Sequence, residues 1–323
     1  MGLGLSTLYA CAPKTSTTTE NMDQSDETVP FEPFFKLSLA QWSIHEAIKK
    51  QGFDPFGFAA KAKQLGFGAI EYVNQLYISK EKSLGYPGFE ADLDNIVRQL
   101  KEEAESNEII SPVMMVDLED GPGDLAVTDE SLQKRAIEAH FPWIDAAATL
   151  GCESVRINLF GETEPAAYKT TGIIALGAIS EYAASRNINI MVENHGWLSS
   201  NAALLMEVLR EVNLSNCGTL PDFGNFCIKR PNNERWSGCE EEYDRYLGVR
   251  EMMPLAFGVS AKSGNFDEQG NETSTDYRRM LQIVKDAGYT GYIGIEYEGE
   301  NMSEDEGIMA TRDLLIRSAK ELV

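Results

Sequence analysis

The chain has 323 residues and carries 28 Lys and Arg against 51 Asp and Glu, a formal charge of -23. Such a field repels phosphate backbones and anionic lipid head groups, so nucleic acid is excluded as an expected partner. The length suits one α/β domain of about 250 residues plus an extension.

Residues 1–33 differ in composition from everything that follows. A short apolar run reaches Cys11 after Leu8-Tyr9-Ala10 and gives way to a Ser/Thr/acidic tract with too little apolar surface to build a core. An apolar segment ending in a small residue and Cys is similar to a bacterial lipoprotein signal, although Tyr9 and the missing charged leader depart from it. The expectation is a truncated export signal and a disordered tether, with a lipid anchor at Cys11 and a periplasmic or membrane-anchored location. A cytoplasmic tail is the alternative. Elsewhere no run approaches the ~20 apolar residues of a membrane-spanning helix.

From Phe35 onward, short apolar runs alternate with longer amphipathic stretches. Strands are predicted at 35–42, 68–73, 108–116, 154–160, 188–194, 217–223, 256–262 and 291–298. The stretches between them have helical spacing, as in ADLDNIVRQLKEEAES (91–106) and SLQKRAIEAHFPWIDAAATLG (131–151), the second closing on a glycine suited to a left-handed helix end. Eight βα units in order, with no hairpin signals between strands, predict a single-domain (β/α)8 TIM barrel over residues 34–323. A doubly wound open sheet is the alternative, and it lacks an early strand, Gly-rich turn and helix to support it.

Barrel active sites sit at the C-terminal ends of the strands, and residues two apart on a strand share a face. Strand four offers Arg156 and Asn158, strand five Glu193 and His195, strand six Asp222, strand seven Ser260 and Lys262, and strand eight Glu296 and Glu298. Glu193, Asp222 and Glu296 would repel at close range unless protons or a cation intervene, so a divalent metal site is expected. A strand-end carboxylate satisfied by backbone or water is the alternative for each acid taken singly. Arg156 and Asn158 alternate with apolar neighbours and are candidates for binding substrate hydroxyls; an interior ion pair is the competing reading for Arg156, with Glu71 either its partner or a group standing behind the site.

His195 is a candidate general acid/base or substrate contact, and His45, just past strand one, a candidate substrate contact. His140 lies within a helical stretch and is assigned no role. Trp42, Trp197 and Trp236 offer apolar faces to a sugar ring. Cys152 and Cys217 read as small core residues, whereas Cys227 and Cys239 flank a polar loop and could be oxidised to each other in an exported protein, a pairing the sequence leaves open.

The run VENHG, then LPDFGNF, then GVSAKS, then GYIGIEYEG resembles the sugar-phosphate isomerase/epimerase superfamily of xylose-isomerase-like barrels, over Phe35 to the C-terminus. The resemblance implies a Glu, Asp, His and Glu on strands five to eight around one divalent ion, with the two glutamates also moving protons. Glu193, Asp222 and Glu296 match that set; the His position is Ser260, and the Lys of the usual His-x-Lys pattern is kept as Lys262.

An oxygen-rich set favours Mg2+ or Mn2+ over Zn2+. A metal-free site in which Lys262 supplies the positive charge is the alternative. The implied reaction is epimerisation or aldose–ketose isomerisation through an enediolate, carried by Glu193 and Glu296 with His195 and Lys262. Elimination from a 3-keto-glycoside is the nearest alternative, and an inactive anchored sugar-binding protein the non-enzymatic one. With no phosphate-cradling loop, a free sugar or glycoside is the expected small-molecule partner. A homo-oligomer is compatible with the sequence.

Overall fold

The computed structural model describes residues 1–2, 31–84, 88–118, 121–235 and 237–322. Cys11, most of the expected tether and Trp236 lie outside the described residues. The chain divides into Met1–Glu32 and Pro33–Val323, and the strands and helices below belong to the second unit.

Eight parallel strands form the barrel: β1 (Lys36–Ala40), β2 (Ala69–Val73), β3 (Ile110–Val116), β4 (Ser154–Ile157), β5 (Asn189–Glu193), β6 (Cys217–Leu220), β7 (Val259–Ser263) and β8 (Tyr292–Tyr297). They pair in the order β6-β5-β4-β3-β2-β1-β8-β7. Parallel bridges Thr219–Ala256 and Asp222–Ser260 join the two ends, with Ser260 N donating to Pro221 O at 2.9 Å and Phe223 N to Ser260 O at 3.0 Å. That junction closes the ring and sets aside the open doubly wound sheet.

All eight predicted strands form, several of them shorter than expected. β6 stops at Leu220 because Pro221 has no N–H with which to continue the ladder. Asp222 therefore sits beyond the regular strand, on the closing bridge.

Helices cover the barrel, and their ends follow local chemistry. In the helix Glu130–Leu150, Asp129 accepts from the N–H groups of Ser131 and Leu132 at 2.9 and 3.0 Å, and Gly151 ends it at φ 80°. The last helix, Glu304–Lys320, opens with a Ser303/Glu306 capping box. Within the ring, Ala40, Val73, Val113, Met115, Met191 and Leu220 form one buried cluster, joined by Leu76. Val113 and Met115 lie four and two positions before Asp117, Met191 two before Glu193 and Leu220 two before Asp222, so on these strands the period of two delivers an apolar floor and a polar rim from the same face.

Candidate active site

Glu193 ends β5, Asp222 lies just past β6 and Glu296 is within β8. All three are buried, and one carboxylate oxygen from each lies within 4.8 Å of the other two. Burial pushes the Glu193 carboxyl up to about 7; Arg156 opposes the shift and Glu296 adds to it. Burial likewise raises Asp222 to about 6, against the pull of Lys262, and lifts Glu296 above the ordinary carboxylate range. These are groups whose charged forms lack solvation.

Backbone and amide donors fix their directions. Asp222 Oδ1 accepts from Gly224 N at 2.8 Å and Asn225 N at 2.7 Å, which leaves Oδ2 to face the site. Asn194 clamps the Asp222 main chain, accepting from its N at 2.7 Å and donating to its O at 3.1 Å. Asn225 Nδ2 reaches Glu193 Oε1 at 3.2 Å.

Ser260 stands among these acids. Its Oγ is 2.6 Å from Asp222 Oδ2 and 3.0 Å from Glu296 Oε2. One hydroxyl proton serves one of these acceptors, so the second approach needs a proton or cation. Lys262 Nζ is 3.5 Å from Glu296 Oε1 and 3.1 Å from Glu298 Oε2. Burial works against this ammonium, but Glu296 and Glu298 together hold its pKa well above the ordinary value. The Lys262 stem packs on Gly224, where an added Cβ would lie 3.2 Å from Lys262 Cδ.

Arg156 Nε faces Glu193 Oε2 at 2.9 Å without an aligned hydrogen bond, and its Nη1 binds Asp117 Oδ1. Five carboxylates, on Asp117, Glu193, Asp222, Glu296 and Glu298, thus face two cationic side chains, Arg156 and Lys262. The deficit of positive charge and the all-oxygen donor set fit a hard divalent cation held by Glu193, Asp222 and Glu296.

Asp117, one residue past β3, links the other polar residues of the rim. It accepts from Arg156, from Asn158 Nδ2 at 2.9 Å and from Gln75 Nε2 at 2.8 Å, and its own N–H donates to Asn74 Oδ1 at 2.8 Å. Burial would raise its pKa, but Arg156, by its charge and its hydrogen bond, leads the interactions that lower it. Asn158 Oδ1 in turn lies 3.0 Å from His195 Nδ1. Burial, with Arg156 and Lys262 nearby, pulls the His195 ring down to about 4, so it is neutral at pH 7.

Glu71 is not the partner of Arg156. It lies deeper, accepting from Ser38 Oγ at 2.6 Å, and burial raises it to about 7. Gly294 leaves it room, since a Cβ there would come within 2.5 Å of Glu71 Oε1. His45 is not in the cluster: its Nδ1 meets Trp42 O at 2.6 Å, its Nε2 is 3.3 Å from Glu46, and its ring stacks on Trp42 at 4.6 Å. Trp42 Nε1 donates to Glu298, so His45 connects to Lys262 only through Trp42 and Glu298.

A ribbon after β6 packs against the turn Trp197–Ser200 that follows β5. Its strands Cys227–Lys229 and Glu241–Glu242 are antiparallel, and Cys227 and Cys239 are joined by a disulfide. Arg235 reaches Asp124 with two hydrogen bonds of 3.0 and 2.9 Å. Its guanidinium lies 4.5 Å from the Phe160 ring centre and 5.6 Å from that of Trp197. The Phe160 ring is 6.0 Å from His195. Trp197 has φ 54°, a left-handed conformation that costs a bulky residue on the order of 1–3 kcal/mol and tends to cluster at working sites.

Asp117, Arg235 and Asp124 are the contacts that sequence reasoning missed. Asp117 had a signal, since PVMMVD ends an apolar strand in an acid as LPD does. The Arg235–Asp124 pair had none, being 111 positions apart in loops.

A family model described as "Xylose isomerase-like TIM barrel" matches residues 59–318. The C-glycoside deglycosidase alpha subunit of Arthrobacter globiformis is 37% identical over 54 residues, 17% of this chain and 15% of that protein. The 3'-dehydrocarminate deglycosidase alpha subunit of Microbacterium sp is 44% identical over 48 residues, 15% and 14% of the two chains. These matches therefore span only about 15% of each relative's length.

Among solved structures, L-ribulose 3-epimerase superposes with a TM-score of 0.64 at 16% identity, over 89% of this chain and 96% of that one. A xylose isomerase-like TIM barrel protein from Mycobacterium smegmatis in complex with magnesium gives 0.59 at 14% identity, over 90% and 100%. The IOLI protein with a binding zinc atom gives 0.61 at 13% identity, over 90% and 99%. At these identities the likeness is one of fold.

Proposed function

The chain belongs to the xylose isomerase-like TIM-barrel family, and from that premise we propose that it is a metal-dependent sugar isomerase or epimerase that removes a proton beside a carbonyl. The observation that carries this reading is the pair Glu193 and Glu296, buried acids on β5 and β8 with raised pKa values and Asp222 between them. Two carboxylates on different strands around one point can take a proton from a carbon and return one to it from another side.

A divalent cation on Glu193, Asp222 and Glu296 would supply the Lewis acidity that makes the C–H beside a carbonyl acidic, with Mg2+ or Mn2+ favoured over Zn2+ by the all-oxygen set. Glu193 takes the carbon-bound proton and the electron pair moves onto the carbonyl oxygen; Glu296, protonated beforehand, returns a proton to the opposite face of the same carbon as the carbonyl re-forms, or, for isomerisation, to the former carbonyl carbon while the hydroxyl proton passes from one oxygen to the other. Lys262, 3.5 Å from Glu296, adds positive charge where the enediolate forms. Ser260 orients Asp222 and Glu296, Arg156 holds Glu193, and Asn158, His195 and Trp197 meet the sugar. His45 acts only through Trp42 and Glu298.

Elimination is the second reading, favoured by the two deglycosidase relatives. It shares the first proton transfer and differs in expelling a leaving oxygen from the next carbon. The substrate class is a free sugar or glycoside.

The Cys227–Cys239 bridge supports an exported protein, because such bonds persist in oxidising compartments. Anchoring at Cys11 and self-association are further parts of the proposal. Metal analysis of purified protein and deuterium exchange from solvent into keto sugars test the reading. Exchange that survives Glu193→Gln refutes the proton-carrier role, and a protein with neither metal nor exchange is a sugar binder instead.

A further inference from the structure

The Asn158 amide has one admissible orientation. Asp117 is paired with Arg156 and accepts from Gln75, so it faces Asn158 as a carboxylate, which only accepts. The group 2.9 Å from Asp117 Oδ1 must therefore be the Asn158 amino group, and its carbonyl oxygen must turn to His195. The opposite orientation would set a carbonyl against a carboxylate in a buried site, two acceptors with no proton between them.

A carbonyl oxygen also only accepts. The 3.0 Å contact between Asn158 Oδ1 and His195 Nδ1 is a hydrogen bond only if Nδ1 carries the proton, and Nε2 of the neutral ring then keeps its lone pair. Three neighbouring strand ends take part in order, Asp117 after β3, Asn158 after β4 and His195 after β5. Asp117 is itself held by the Asn74 side chain, which accepts from its N–H. The chain of preferences therefore starts at a carboxylate whose own direction is set.

We propose that Asp117 is a positioning residue that acts through the Asn158 amide to hold His195 as its Nδ1–H tautomer, so that Nε2 meets a substrate hydroxyl as an acceptor. The identity of that hydroxyl rests on the sugar-enzyme reading, whereas the tautomer does not. His195 then begins the reaction by receiving a proton or hydrogen bond, and it can protonate a leaving oxygen only after it has first taken a proton.

The experiment is a long-range proton–nitrogen correlation on the full chain labelled with 15N-histidine at pH 8, without added metal and then with Mg2+. The His195 signals are assigned by their loss in His195→Asn, which separates them from those of His45 and His140. The expected result is a protonated Nδ1 and an unprotonated Nε2, with the Nδ1–H form in about tenfold excess or more, the effect of one well-made hydrogen bond.

Asn158→Leu retains the Asp117–Arg156 pair and should remove most of that excess. Asp117→Leu should do the same, and if it fails to fold, Asn158→Leu decides. A protonated Nε2 in the unmodified protein, or an excess unchanged by Asn158→Leu, overturns the proposal. The expected tautomer in a protein that exchanges deuterium into no keto sugar would overturn only the substrate-hydroxyl half.

Discussion

Replacing Asp222 by Asn should reverse the stability order of variant and parent, depending on whether metal is present. Asp222 is fully buried, and its pKa rises from 3.8 to about 6, chiefly through desolvation. A carboxyl whose folded pKa lies above its unfolded value contributes stability below about pH 4 and loses it as pH rises to about 6. At pH 8 without metal, the ionised group therefore costs about 3 kcal/mol.

The amide removes that cost while keeping the contacts. Its oxygen still accepts from Gly224 and Asn225, and its amino group donates to Ser260. The weaker neutral hydrogen bonds offset about 1 kcal/mol, leaving Asp222→Asn more stable by about 2 kcal/mol in chelator. For a domain of this size that is on the order of 5 °C in Tm.

With Mg2+ or Mn2+ at 100 times Kd, the parent gains about 2.7 kcal/mol. The variant, short of one charged ligand, gains less and should fall below it. Thermal unfolding at pH 8, in chelator and in a metal titration, reads both halves. A variant less stable than the parent in chelator, or an equal metal response in the two proteins, would refute the charge-deficit account of the site.

Glu193→Gln should lower turnover by about 10²–10⁴-fold with the fold intact, measured as deuterium exchange alongside circular dichroism. His140, buried and pulled down from 6.5 to about 4 by desolvation, should make the protein lose about 3 kcal/mol as pH falls through that window; in His140→Gln the denaturant midpoint should vary less between pH 7 and pH 4. Reduction of the Cys227–Cys239 bridge, which closes a 12-residue separation, should cost up to about 3 kcal/mol or loosen the ribbon locally, and limited proteolysis should then cut between residues 227 and 239. A ribbon resistant after reduction would mean that its other contacts, Arg235 with Asp124 among them, suffice to hold it. Met191→Ala, in the barrel floor, should cost about 2–5 kcal/mol by urea titration, as expected for a cavity in a packed core.

Much of the barrel was legible because its signals are local. Apolar runs of strand length, helical spacing between them and caps such as Asp129 and Gly151 depend on a few neighbouring residues. The same grammar put Glu193, Asp222 and Glu296 at strand ends, and the ring brings them together. Asp117 obeys that grammar too, since it follows an apolar strand as Asp222 does. Whether Arg156 pairs with Glu71 was open in the sequence because both are inward-facing, and only their depths decide that Arg156 meets Asp117 and Glu193 while Glu71 meets Ser38.

What the amino-acid order determined by itself is the repeat of strand and helix, the faces on which polar residues lie and the oxygen-only character left by Ser260. What only the tertiary structure decided is who touches whom: the shared serine hydroxyl, the Asp117–Asn158–His195 series, the place of His45 outside the cluster and the Arg235–Asp124 link. The physical reason is range. Backbone periodicity is set over a few residues, whereas contacts across a barrel mouth depend on strand depth and loop path, which arise when the ring closes between β6 and β7.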